Sequence, residues 1–236
     1  MKFLLNGFLL LVSLPIFSQE TPIPTKLPAP MITVDSLYRE DQFYLNVTYN
    51  ILLNRPEGIR QNKFSSGFAG GFLRDMPINK RRTRAIAAGI GVSYDKYFEN
   101  LIIAKKDGVP VYTQATPGVN YSKNKFDQIF VDVPIEFRWR TSTLESHKFW
   151  RVYSGIKLSY LVANKSRYID DQYNIKVTQN GDFNKFQVGT YLAWGYNTWN
   201  FYGYYGLTPL FKSSAKVNNN SVQLNTLNFG LMFYIL

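Results

Sequence analysis

Two neighbouring stretches of this sequence carry charged residues at even spacing: Asp132, Glu136, Arg138 and Arg140 in the first, Arg151 and Lys157 in the second. Successive side chains of a strand point to opposite faces, so each set shares one face. Carboxylates interleaved with guanidinium and ammonium groups can do two things. They can neutralise one another as buried ion pairs, or they can pass protons or ions along a path. Arg74, earlier in the chain, is counted with them; its neighbour Asp75 takes that place if the local parity is reversed. The remaining candidates for chemistry are weaker. His147 is the single histidine, next to Glu145 and Ser146 in a connecting segment, which makes it a neighbour in sequence but not an oriented base. Asp170 and Asp171 are two adjacent carboxylates with Arg167 close by, a poor cation site. There is no cysteine, so thiol chemistry and cysteine-ligated metal are excluded. No catalytic residue, metal ligand set or cofactor site is expected, and the chain reads as non-enzymatic.

The elements that position these charges read as strands. From residue 42 onward apolar and polar residues alternate. The first strand covers about Gln42 to Leu53, the second Phe64 to Asp75, the third Thr83 to Leu101 and the fourth Phe126 to Arg140. The fifth runs from Lys148 to Ala163, the sixth from Asn184 to Tyr196, the seventh from Trp199 to Phe211 and the eighth from Val222 to Leu236. The fourth alternates most cleanly: Ile129, Val131, Val133, Ile135, Phe137 and Trp139 oppose the charged set. Connections after strands two, four and six are short, whereas those after one, three, five and seven are long and polar. Short turns at one end and long loops at the other are the pattern of an outer-membrane barrel, and a sandwich has no reason to produce it. The fold class expected is therefore all-β: an eight-stranded antiparallel up-and-down transmembrane barrel.

Such a barrel is just wide enough for its own side chains, so the interior charges must pair or bear a prohibitive desolvation cost. They predict a salt-bridged plug in a closed lumen, with a solute or proton path as the competing reading. The closing strand carries Phe229, Leu231, Phe233, Ile235 and Leu236, whose odd-numbered members face lipid or a neighbouring protein. It pairs with the strand starting near Gln42, so no sheet edge remains. Trp139, Trp150, Trp199, Tyr196 and Phe201 fall near the short-turn ends, where an interfacial aromatic girdle sits. Lys80, Arg81, Arg82 and Arg84 form a basic periplasmic turn suited to snorkelling toward headgroups or meeting a periplasmic partner.

Ahead of the barrel, residues 1–18 read as a secretory signal peptide: a basic Lys2, an apolar run to Leu14, Pro15, and Ser18 before the cut. Residues 19–41, with Pro22, Pro24, Pro28 and Pro30, read as an extended periplasmic arm, leaving 42–236 as the barrel. The formal charge of +11 favours anionic partners. For an exported chain these are outer-membrane lipid and lipopolysaccharide, or other outer-membrane and periplasmic proteins, and not nucleic acid.

The run Phe130-Val131-Asp132-Val133-Pro134-Ile135-Glu136-Phe137-Arg138, with Gly67-Phe68, Gly71-Phe72 and the closing Phe229-Gly230-Leu231 to Tyr234, resembles the PorT-like small outer-membrane barrels of Bacteroidota, in the porin-type outer-membrane β-barrel superfamily. The likeness extends over essentially the whole mature chain. It implies a structural or accessory subunit of an outer-membrane complex, related to type IX secretion or to barrel assembly, and brings no catalytic residues. A narrow pore for ions or small solutes is the alternative from the transport class. A surface adhesin or lipopolysaccharide-binding barrel using the lysine-bearing external loops, residues 104–124 among them, is the third.

Overall fold

The structure is a computed structural model that describes residues 41–141 and 149–235. The expected signal peptide, the expected Pro-rich arm as far as residue 40, residues 142–148 with Glu145, Ser146 and His147, and Leu236 lie outside the described residues. In chain order the strands are β1 (Gln42–Leu53), β2 (Ser66–Pro77), β3 (Arg84–Phe98), β4 (Leu101–Lys106), β5 (Val109–Gln114), β6 (Tyr121–Arg140) and β7 (Trp150–Asp170). They continue as β8 (Asn174–Thr178), β9 (Phe186–Tyr196), β10 (Trp199–Gly206), β11 (Lys216–Val217), β12 (Asn220–Ser221) and β13 (Asn225–Ile235).

Eight of these close a barrel in the order β6-β3-β2-β1-β13-β10-β9-β7, sealed by the pairing of β6 with β7. All ladders are antiparallel. The seam between first and last strands runs from Phe43 opposite Ile235 to Leu53 opposite Asn225. The β3–β6 ladder lapses between Ala88/Ile135 and Gly91/Asp132, on either side of Pro134, which has no N–H to give.

Period-2 alternation fixes the faces. In β1, Phe43, Leu45, Val47 and Tyr49 are exposed on the outer wall, while Tyr44, Asn46, Thr48 and Asn50 are buried inside. In β6, Ile129, Val133, Ile135, Phe137 and Trp139 face out and Asp132, Glu136, Arg138 and Arg140 face in. Trp139, Trp150, Tyr196, Trp199 and Phe201 all stand on the outer wall at the short-turn end. From Trp139 back to Ile129 is about ten residue steps, roughly 34 Å along the strand. At a tilt of ~40° this is about 26 Å along the membrane normal, matching the ~25 Å apolar band of outer-membrane barrels.

β6 and β7 run well past that band, with 20 and 21 residues where a crossing needs about 9–11. Their outer ends, joined by β8, extend past that apolar band. The long loops are folded rather than open. Residues expected to end the third strand and continue as loop form the β4–β5 hairpin, turned at Asp107-Gly108 with φ of 53° and 81°. Both positive values fit the primed turn that Asp-Gly favours. Asn218 and Asn219, at φ 49° and 66°, turn the small β11–β12 hairpin in the same way.

Candidate functional site: the charged lumen and its apolar cap

The inward faces meet in three layers. At the short-turn end, which is periplasmic in barrels of this class, Asp75 lies between two arginines. Its Oδ1 accepts from Arg138 Nη1 at 2.9 Å and from Arg140 Nη1 at 3.0 Å, and its Oδ2 accepts from Arg140 Nη2 at 2.9 Å. Arg138 Nε donates to Glu136 Oε2 at 2.8 Å. The Tyr191 and Tyr234 hydroxyls donate to the other oxygen of Glu136 at 2.9 and 3.3 Å. All four charged side chains are fully buried. Arg140 Nε also donates to the backbone carbonyl of Arg82 at 2.9 Å, tying the lumen to the first short turn.

The guanidinium of Arg138 lies 4.8 Å from the centre of the Tyr153 ring, and that of Arg151 lies 4.6 Å from Phe149 and 5.4 Å from Tyr234. Planar cations stacked on rings in a desolvated site are held by about 2 kcal/mol or more each. The middle layer pairs Lys157 with Asp132 at 3.7 Å, with Ser159 donating to Asp132 at 2.5 Å and Lys157 Nζ lying 4.4 Å from the centre of the Tyr204 ring. Further out, Asn50 donates to Asp95 at 2.7 Å and accepts from Thr48 at 2.7 Å.

Two of the sequence expectations are corrected. Arg74 does not join the lumen: its side chain is 53% exposed and pairs with Asp41 at 3.4 Å. Asp75 takes the interior position. Glycines 67, 70 and 71 occupy both faces of β2 and hide its parity. Arg82 also departs from the basic turn. Lys80, Arg81 and Arg84 are exposed, but Arg82, at φ 55°, is turned inward and buried, so three cations of that turn face outward and not four. Asp132, Glu136, Arg138, Arg140, Arg151 and Lys157 do share the lumen, and Phe229, Leu231, Phe233 and Ile235 point outward or lie partly covered on the outer wall. Asp95 and the interior tyrosines went unread because β3 carries small residues on both faces and tyrosine suits either environment. Asp170 is not a free ligand. It accepts from the Tyr168 hydroxyl and from the backbone of Gln172 and Tyr173, which close its turn.

Above the polar layers the loops seal the outer mouth. Leu52, Ile59, Tyr97, Leu101, Ile103, Tyr112, Phe126, Phe183, Leu210 and Phe211 belong to one buried apolar cluster drawn from barrel ends and all four long connections. Phe126 stacks on Tyr97 at 4.9 Å, and Phe183 packs on Phe211 at 4.2 Å. Each fully buried ring contributes about 1.5–3 kcal/mol. The Tyr112 hydroxyl accepts from Asn180 and donates to Asp182, pinning the β4–β5 hairpin to the connection after β8. Such an interior couples the strands through ion pairs and the long connections through packed rings. It can hold a barrel rigid.

Residues 17–212 match the model of the family described as "Outer membrane protein beta-barrel domain". The chain belongs to that family. Comparison with curated proteins and with solved structures found no match to the chain. Family membership and the closed eight-stranded architecture together make this an outer-membrane β-barrel. The family match ends before β13. The closing strand is instead accounted for by its register with β1 and β10.

Proposed function

We propose that this outer-membrane barrel is a non-enzymatic accessory subunit of an outer-membrane complex, working through its outer wall and its two rims. The observation that carries the reading is the interior. Arg138 and Arg140 are enclosed with Asp75 and Glu136 at 2.8–3.0 Å across the periplasmic half, beneath an apolar cap. A barrel that commits its bore to buried ion pairs spends it on rigidity. What remains for function is surface: exposed Lys80, Arg81 and Arg84 at the periplasmic rim, and a wall of exposed aromatics including Trp199 and Phe201. The resemblance of the Asp132–Arg138 strand to PorT-like barrels supports a type IX secretion-related complex, with the barrel-assembly machinery as the other candidate.

The test is purification of the tagged, chromosomally expressed protein from detergent-solubilised outer membranes. The reading predicts that a second outer-membrane or periplasmic protein elutes with it at a fixed molar ratio through detergent exchange and size exclusion. A barrel that elutes alone in several mild detergents and after cross-linking overturns it.

A further inference from the structure

The outer ends of β3, β6, β7 and β8 form a sheet whose outward face is predominantly cationic. Alternation with buried residues fixes that face. Lys96 lies between the inward Asp95 and Tyr97; Lys125 lies between Asn124 and Phe126; Lys165 and Arg167 flank Ser166. Strand register then sets the cations side by side. One row runs Phe98, Lys125, Arg167, Lys176 across the four strands. The row beneath runs Lys96, Asp127, Lys165, Thr178. Directly paired side chains in such ladders are about 4.5–5.5 Å apart at Cβ, and like charges at that distance repel.

Asp127 is the single carboxylate in these rows, and it is already engaged. It accepts from Lys125 Nζ at 2.6 and 2.8 Å and from the Tyr94 hydroxyl at 2.9 Å. The row of Arg167 and Lys176 therefore holds no carboxylate, and Lys96 and Lys165 share theirs with an Asp127 that is already bound by Lys125. Arg167 adds a specific mark: its Nε is buried and has no hydrogen-bond partner among the described residues.

Position identifies the missing anion. The lower row lies one step above Tyr94, Ile129 and Ala163, where the lipid-facing band of Val92, Ile129 and Val162 ends. On the side of the long loops, that height is the headgroup layer of the outer leaflet. We propose that this sheet face binds the phosphorylated headgroup of an outer-leaflet glycolipid of the lipid A type. Arg167 and Lys176 grip a phosphate, Lys96 and Lys165 lie beneath it, and the acyl chains run down the apolar wall. The site is distinct from the loop residues 104–124 and does not depend on the barrel's being a subunit of a complex.

Native mass spectrometry of the intact barrel in detergent, titrated with bisphosphorylated lipid A, tests this. The wild type is expected to retain lipid A, and R167Q/K176Q to weaken retention about 30-fold, because each cation near an anionic membrane surface is worth about fivefold in affinity. Lipid A stripped of its phosphates should bind the wild type no better than it binds the variant. Equimolar inorganic phosphate should not displace lipid A; displacement would assign a free-phosphate site and overturn the lipid reading. K105Q/K106Q, on the β4–β5 hairpin, should bind as the wild type does. Equal retention by R167Q/K176Q, with its heat-modifiable gel shift intact, overturns the proposal, as does equal binding of dephosphorylated lipid A. If the double variant does not fold, the single changes R167Q and K176Q decide in the same way, each expected to cost about fivefold.

Discussion

Asp75→Asn and Arg74→Ala change neighbouring residues of one strand and should have opposite consequences. Asp75 accepts three hydrogen bonds at 2.9–3.0 Å from two arginines that are themselves fully buried. An amide there removes the negative charge and presents an NH2 to guanidinium donors. Arg138 and Arg140 then lose the carboxylate that bridges them. Removing one partner from a buried ion-pair network costs about 3–5 kcal/mol. Arg74 pairs with Asp41 at 3.4 Å, the two side chains being 53% and 30% exposed. An ion pair so open to solvent is worth about 0–1 kcal/mol, so Arg74→Ala should be nearly silent. The assay is urea titration of the barrel folded into short-chain lipid vesicles, followed by fluorescence of Trp139, Trp150, Trp194 and Trp199. A midpoint for Asp75→Asn within 1 kcal/mol of the wild type, or a loss for Arg74→Ala as large as that for Asp75→Asn, refutes the assignment of the lumen network. The double change Asp75→Leu/Arg140→Met should recover part of the loss, since apolar groups replace both members of a buried ion pair.

Gly230→Ala should weaken the seam. A Cβ there would sit 1.9 Å from the Val47 carbonyl oxygen and 2.7 Å from Thr48 Cα, both backbone. The usual gain of about 0.5–1 kcal/mol for replacing a strand glycine is outweighed by overpacking of about 1–3 kcal/mol or more, and the heat-modifiable band should weaken on gels. Glu99, beyond the end of β3, is buried with both carboxylate oxygens unpartnered among the described residues. Burial pushes its carboxyl well above the ordinary 4.5, and Arg55 only partly opposes this. A pKa raised in the folded state gives stability that is full below 4.5 and is lost as pH rises through the folded value. Glu99→Gln should therefore be more stable than the wild type at pH 8 and should flatten the stability profile between pH 5 and 8. Identical slopes in thermal melts of the two proteins would count against this.

The barrel was legible because β6 and β7 alternate cleanly: with Ile129 to Trp139 on one side and Asp132 to Arg140 on the other, both faces and the register were set by period alone. The six interior charges of these two strands were readable for the same reason. β2 was not, because its glycines carry no preference for either face, and the choice between Arg74 and Asp75 depends on packing against β1 and β3. Arg82 escaped because a turn residue at positive φ follows no strand period. The folded outer cap was only partly visible. Asp107-Gly108 is a hairpin signal in its own right, but Leu101 read as the end of the preceding strand and the residues after it as loop. Nothing local in Phe183 or Phe211 tells that they meet Phe126, since those contacts join residues far apart in the chain. The cationic sheet needs the register of four strands, and no single stretch of sequence displays it.

The most direct test of a sealed bore is conductance of the purified barrel in planar bilayers at neutral pH and molar salt. Protein whose correct folding is verified by its heat-modifiable shift should give no steady current above the bare membrane at moderate voltage. Discrete, long-lived channels from wild-type protein, abolished or altered in size by changing Glu136 or Arg138, would show that the lumen conducts and would contradict the account.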